Sequence, residues 1–373
     1  MNGTFRVGNL FGIPFNVHPS WLLILGLVTW TYGNELAGFS GLVGPLPWLL
    51  GLVTALLLFA SVLAHELGHS FVAIRQGIEV KSINLFLFGG LAQLDKESKT
   101  PAEAFWVAIA GPLVSLILFG IFTAIGLNIQ LPASLTAIVG LLASINLALA
   151  LFNLIPGLPL DGGNILKAAV WKITGKPYKG VMFASRVGQI FGWIAIASGV
   201  LPLVLYGSTA NFWNLLIGWF LLQNAGQSAQ YATVQDKLSG LTAEDAVIPN
   251  SPIVSAESSL RQFANDYVIG QNRWFKFLVT NEEGQLLGAI SVDDLKSVDL
   301  ELWPQIKVRE LTRPVDESNI VNAERSLMEV VTMLEQKQIT QMPVIRDNGV
   351  LVGLVEKTAI INLLQRQVQS KLA

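Results

Sequence analysis

Residues 56–77 read LLLFASVLAHELGHSFVAIRQG, a hydrophobic approach that ends in His65-Glu66-Leu67-Gly68-His69. Two imidazoles four residues apart share one helix face and can bind a single zinc ion. The glutamate between them can act as a base towards water at the metal. A polar helix end satisfied by its neighbours is the plainer alternative. Ionisable groups inside a membrane helix are costly and usually functional, which favours the metal.

The surrounding sequence is that of a membrane protein. The chain has 373 residues, 52% hydrophobic and 13% charged, with a mean hydropathy of +0.53. Soluble domains carry about 25% charged residues, so an ordinary cytosolic enzyme is excluded. Charge is concentrated late: residues 1–230 hold 10 Lys/Arg and 7 Asp/Glu, and residues 231–373 hold 14 and 19. A net charge of −2 gives no case for nucleic-acid binding. Without cysteine, disulfides, thiolate zinc sites and cysteine nucleophiles are excluded.

A membrane helix needs about 20 mostly apolar residues. Six stretches qualify: roughly 19–35, 46–75, 102–126, 132–155, 182–206 and 211–230. The opening MNGTFRVGNLFGIPFNVHPSW lacks the apolar core of a signal peptide and alternates like interfacial strand. The joints near 36–45, 127–131 and 207–210 contain no Lys or Arg. Those after the second and fourth stretches hold Arg75, Lys81, Lys96 and Lys99, then Lys167, Lys172, Lys176 and Lys179. The positive-inside rule therefore predicts a multi-pass cell-membrane protein with both termini in the cytoplasm.

Catalytic zinc takes about three protein ligands and keeps one position open. His18, the remaining histidine, precedes the first stretch and reads as interfacial. Asp161, in FNLIPGLPLDGG (152–163), is the better candidate. Alone, such an aspartate is most often a turn or helix cap. Pro156 and Pro159, however, break the fourth helix at membrane depth, where irregular backbone is tolerated only inside protein or beside a wet cavity.

HELGH in one apolar helix followed by FNLIPGLPLDGG after another resembles the site-2 protease family of intramembrane zinc metalloproteases. The subgroup it is most similar to has six spans and a C-terminal pair of CBS (cystathionine-β-synthase-like) modules, as in the sporulation protease that processes a pro-sigma factor. The resemblance implies that His65, His69 and Asp161 bind one Zn²⁺, that Glu66 is the catalytic base, and that Asn153 sits beside the reacting carbonyl. Asn153 as an interhelical hydrogen bond remains open. The chain departs from the family at Ser115, in Ala110-Gly-Pro-Leu-Val-Ser115, where asparagine is common; this bears on local packing rather than on the metal.

Residues 81–95 read as two short strands around a Gly89-Gly90 turn. They look like the family's re-entrant hairpin, whose edge could pair with unwound substrate, with Phe88, Gly89 and Gly90 in contact. A surface hairpin is the alternative.

After a polar linker (231–240 at its narrowest), the sequence repeats itself. IVSAESSL (253–260) returns as IVNAERSL (320–327), and FLVTNEEGQLLG (277–288) returns as MPVIRDNGVLVG (342–353). Each copy, 241–300 and 305–373, reads as helix, strand, Gly turn, strand and helix. Together they look like a tandem CBS pair. In the first copy Gly288-Ala-Ile-Ser291-Val-Asp-Asp294 resembles that family's Gly-x-x-Thr/Ser-x-x-Asp, implying ATP or AMP at Ser291 and Asp294. The second copy, Gly353-Leu-Val-Glu356-Lys-Thr-Ala359, has lost both groups. Ser291 as a helix cap, in a tail that binds no nucleotide, is the alternative.

The expected architecture is therefore a helical membrane domain (1–230) with a re-entrant hairpin, followed by an α/β CBS pair. The expected function is an intramembrane zinc endopeptidase acting on a membrane protein in the bilayer. A CBS-gated transporter or channel, and a membrane metallohydrolase with a lipidated or non-peptide substrate, are the competing readings. The oligomeric state, including a homo-oligomer, is left open.

Overall fold

The computed structural model describes residues 4–39, 42–86, 89–207, 211–269 and 274–370. The chain divides into two compact units, Met1–Thr233 and Val234–Ala373.

The first unit opens with strands β1 (Phe5–Leu10) and β2 (Ile13–Val17), followed by helices α1 (Ser20–Leu36) and α2 (Leu46–Arg75). Strands β3 (Val80–Phe86) and β4 (Gly89–Leu94) come next, then α3 (Pro101–Asn128), α4 (Ala133–Asn153), α5 (Asp161–Thr174), α6 (Pro177–Tyr206) and α7 (Phe212–Leu238). Four described helices, α2, α3, α4 and α6, are long and apolar enough to cross a membrane. At 30 residues and about 1.5 Å each, α2 is about 45 Å long. The helix is therefore longer than a hydrocarbon core of about 30 Å.

The helix ends follow local chemistry. Pro101 starts α3 behind a reciprocal cap in which the Thr100 hydroxyl accepts from the Glu103 amide at 3.2 Å and the Glu103 carboxylate accepts from the Thr100 amide at 3.3 Å. His18 Nδ1 accepts from the Ser20 backbone amide at 3.2 Å and meets the Ser20 hydroxyl at 2.8 Å, which ties the ring to the first residue of α1. Lipid supplies no hydrophobic drive between helices, so polar links matter. Asn146 on α4, fully buried, donates to Ser61 on α2 at 3.1 Å. Such links contribute about 0.6 kcal/mol on average.

The two expected strand regions join into one sheet of order β1-β2-β3-β4. Strand β2 runs parallel to β3, with Phe15 opposite Ile83 and Val17 opposite Leu85. Ile13, Val17, Val80, Ile83 and Leu85 are buried and pack with Ala73 of α2. Gly89 and Gly90 are not the turn: they pair with Phe86 and Leu85 as the first residues of β4. The connection is Leu87-Phe88, which lies outside the described residues, as does the expected contact at Phe88.

The expected linker is helical as well. Residues 226–238 contain one Gly and no Pro, so α7 continues through them to Leu238. Leu238 is buried in the core of the second unit. The division between the two units falls within this segment, after Thr233, and its Gln, Ala and Lys residues favour helix.

In the second unit each copy is a short strand, a helix, a hairpin and a closing helical turn or helix. The first has β5 (Ile253–Ser255), α8 (Leu260–Phe263), β6 (Lys276–Thr280) and β7 (Leu286–Ser291). Helix α9 (Val308–Leu311) follows, with Val308 buried in the first core. The second copy has β8 (Val321–Asn322), α10 (Leu327–Gln336), β9 (Gln341–Ile345), β10 (Leu351–Glu356) and α11 (Lys357–Ser370). Sheet orders β5-β6-β7 and β10-β9-β8 are equivalent: a parallel pair first, then an antiparallel hairpin. Fully buried Phe263 and Phe277 anchor the first core, and Leu327 and Met342 the second. Each such side chain is worth about 1.5–3 kcal/mol of burial.

Candidate metal centre and active site

Helix α2 carries His65 and His69 one turn apart, on the face it buries against α3. A proline-broken segment after α4 delivers Asp161 as the first residue of α5, where a carboxylate suits the helix N-terminus. His65 Nε2 lies 3.1 Å and His69 Nε2 3.2 Å from Asp161 Oδ2, and the two Nε2 atoms are 3.3 Å apart. All three residues have little solvent exposure, with Asp161 the most exposed at 17% of its side chain.

The opposite ring nitrogens are occupied by protein. His69 Nδ1 meets the Val107 carbonyl at 2.6 Å, and a carbonyl only accepts, so Nδ1 carries the proton. His65 Nδ1 meets Ser115 Oγ at 2.9 Å, and the hydroxyl can accept in the same way. Each Nε2 is then left with its lone pair facing the aspartate, the form in which imidazole binds metal. Two imidazole nitrogens and one carboxylate oxygen also match the donor preference of zinc and the ligand count of a catalytic site. The residues present therefore fit zinc. Gly111 on α3 makes room, since a Cβ there would strike His69 Nε2 and lie 2.7 Å from His65 Nε2.

Glu66 faces β4. A Cβ at Gly90 would collide with the Glu66 side chain, so this glycine lets the strand lie against the carboxylate. Thus the strand edge, the glutamate and the three candidate ligands share one cavity of about 460 Å³. Asn153, the last residue of α4, also lines it. One amide hydrogen of Asn153 goes to the Leu149 carbonyl at 3.0 Å, which leaves a second for a ligand.

The structure brings together His65, Glu66, His69, Gly90, Asn153 and Asp161. Gly89 opens β4 with φ +134° and is not among the cavity's lining residues. Ser115, expected to matter for packing, instead holds a candidate ligand. A lone hydroxyl in the apolar run 104–122, three residues after Pro112, was the available signal.

In the second unit Ser291 and Asp294 are already engaged. The Ser291 hydroxyl donates to the Phe275 carbonyl at 3.2 Å, and the Asp294 carboxylate accepts from the Ser291 amide at 2.8 Å. Asp294 also pairs with Arg313 at 2.7 Å. A separate cavity of about 400 Å³ in this unit is lined by residues that include Lys276, Asn319, Thr340 and Gln341.

Residues 53–133 and 129–195 match Peptidase family M50, and residues 308–366 match the CBS domain. The chain is similar to the "Putative zinc metalloprotease sll0528" of Synechocystis sp., at 59% identity over 98% of this chain and 96% of that protein. Rip3 of Mycobacterium tuberculosis, named in the same way, is 31% identical over 98% of this chain and 93% of its own. Among solved structures, the site-2 protease from Methanocaldococcus jannaschii covers 61% of this chain and 95% of its own at 30% identity, with a TM-score of 0.45. With such identity sustained along almost its whole length, the chain belongs to peptidase family M50, the site-2 protease family of intramembrane zinc metalloproteases.

Proposed function

We propose that the chain hydrolyses a peptide bond within or beside a transmembrane segment of a membrane protein. One observation carries this reading: the convergence of His65 Nε2, His69 Nε2 and Asp161 Oδ2 beside Glu66 in a cavity walled by a strand edge. His65, His69 and Asp161 would hold zinc, and Glu66 would be the acid–base residue. Bound zinc supplies Lewis acidity, which acidifies water and polarises a carbonyl. Glu66 takes a proton from the attacking water on its carboxylate and passes it to the leaving amine, a role worth about 10²–10⁴-fold. Asn153 offers its free amide hydrogen to the oxygen on which charge develops.

A helical substrate hides its carbonyls in i→i−4 bonds and must unwind before attack. Strand β4 is the edge of its sheet and borders the cavity, so its open side offers unwound peptide a partner. We read the β3–β4 hairpin as the re-entrant element and Gly89 and Gly90 as part of the substrate-facing edge.

Six spans are the finer reading of the membrane unit. Leu22, Leu23, Leu27 and Trp30 of α1 and Phe212, Trp213 and Trp219 of α7 are exposed, as lipid-facing side chains would be. With α1 and α7 added to the four long helices, and the basic joints inside, both termini are cytoplasmic. For the tail, residues 241–300 and 305–373 form a CBS pair that responds to adenine nucleotide. Ser291 and Asp294, and the cavity beside Lys276, are its candidate contacts.

Co-expression with a single-pass membrane reporter tests the catalytic reading. Glu66→Gln keeps zinc but loses cleavage, and a chelator stops the wild type. Unchanged cleavage by Glu66→Gln contradicts the proposal. Titrating the full-length protein with ATP and AMP tests the tail: heat or a change in cleavage rate supports regulation, and neither makes the tail structural.

A further inference from the structure

The cavity continues along α5 beyond Asp161. Asn164, Lys167 and Trp171 line it too. Steps of three, three and four residues keep these groups on one helix face. The facing wall is β4 and then Glu97 in the loop that follows it. At the inner end Gly90 lies against Glu66. At the outer end Lys167 Nζ meets Glu97 Oε2 at 3.3 Å.

This ion pair is unequal. The Lys167 side chain is only 17% exposed, whereas that of Glu97 is 71% exposed. Among the described residues, Lys167 is the one lysine or arginine lining the cavity. Its backbone is fixed, because α6 passes so close that a Cβ at Gly180 would strike the Lys167 carbonyl. An ion pair with a largely solvated partner contributes little. An ammonium left without counter-charge in a cavity is costly. Lys167 is therefore a fixed cation whose anion can be exchanged.

We propose that Lys167 is a specificity-determining residue that takes the carboxylate of an Asp or Glu in the substrate, with Glu97 giving way to it. This deepens the proteolytic reading and rests on it. Six residues separate Asp161 from Lys167, about 9 Å along a helix. An extended peptide advances about 3.3 Å per residue. The preferred acidic residue therefore lies about three positions from the scissile bond. Glu97 holds the site while no substrate is bound, and a basic residue at that position meets like charge.

The test uses full-length protein in detergent and a single-pass reporter whose cleavage site is located by mass spectrometry. Positions up to five residues either side of that bond are changed singly to Asp, Asn or Lys. Wild type should cleave the Asp reporter with kcat/KM about 10- to 100-fold above the Lys reporter, at one position about three residues away. Lys167→Ala should remove that preference through KM while kcat holds. Lys167→Glu should invert it and recover the Lys reporter. Glu97→Gln should lower KM for the Asp reporter alone. A flat wild-type profile, or an Asp preference that survives Lys167→Ala, overturns the proposal. If the Lys167 variants do not fold, Glu97→Gln decides: an equal effect on every reporter makes the pair a structural clasp and overturns it. Glu66-dependent cleavage of the Asn reporter is the control that separates this failure from failure of the proteolytic reading.

Discussion

Asp161 and Asp294 look alike as sequence, each a carboxylate close after glycine in a motif that points to a ligand. Their surroundings are opposite. Asp161 Oδ2 faces two imidazole nitrogens whose other ring atoms are held by Val107 and Ser115, so three donors converge and none is neutralised by a fixed cation. Asp294 is closed on itself, with Arg313 on one oxygen and the Ser291 amide on the other. A binding site is a place where polar atoms are held in position yet left without partners, and by that measure the membrane unit has one built. The first-copy groups of the tail must give up a bond before they can accept a ligand.

The sharpest way to break this contrast is to neutralise each aspartate. Asp161→Asn should lose stoichiometric zinc, read by elemental analysis, and all cleavage of the reporter. Retained metal would place the third ligand elsewhere. Ser115→Ala should come next: losing the partner of His65 should weaken zinc about 10- to 100-fold in chelator competition. Ser115→Asn, with an amide oxygen able to accept, should restore most of that affinity. Affinity unchanged in Ser115→Ala would return this residue to a packing role.

Effects on the tail should be smaller. Asp294→Asn should leave zinc and cleavage intact and lower stability by about 1 kcal/mol or less, because its partner Arg313 is 79% exposed. The smallest effect concerns Glu257, held below the usual glutamate range by its bond from Lys307 and by Arg309 beside it. A lowered carboxylate stabilises the fold above the ordinary glutamate range, and that contribution fades as pH falls through the lowered value. Wild type should therefore unfold at higher temperature than Glu257→Gln at pH 7, and the gap should close in acid. A gap independent of pH would remove the ion pair from the account.

The core of the candidate site was legible because its chemistry is local. HExxH offers two candidate ligands and a candidate base within about one helical turn, and Asp161 follows a proline-broken helix. What escaped the sequence depends on distant pairing. Parallel pairing of β2 with β3 joins Phe15 to Ile83 across 68 positions, and nothing near either strand announces it. Gly89-Gly90 reads as a turn by composition, yet the sheet draws it into β4, where Gly90 gives Glu66 room. Ser115 and the Val107 carbonyl act through the way α3 packs on α2. Lys167 was counted as a topology charge, although its spacing from Asp161 and Asn164 already put it on their helix face. The duplicated tail was readable as repeats, but the Asp294–Arg313 pair was not, since Arg313 lies 19 positions further on, beyond α9.

Metal analysis of purified, full-length protein tests the central claim most directly. One zinc per chain is expected in wild type and in Glu66→Gln, falling to background when His65, His69 or Asp161 is replaced. A wild-type chain without stoichiometric zinc, or one that keeps its zinc after all three replacements, would contradict the account.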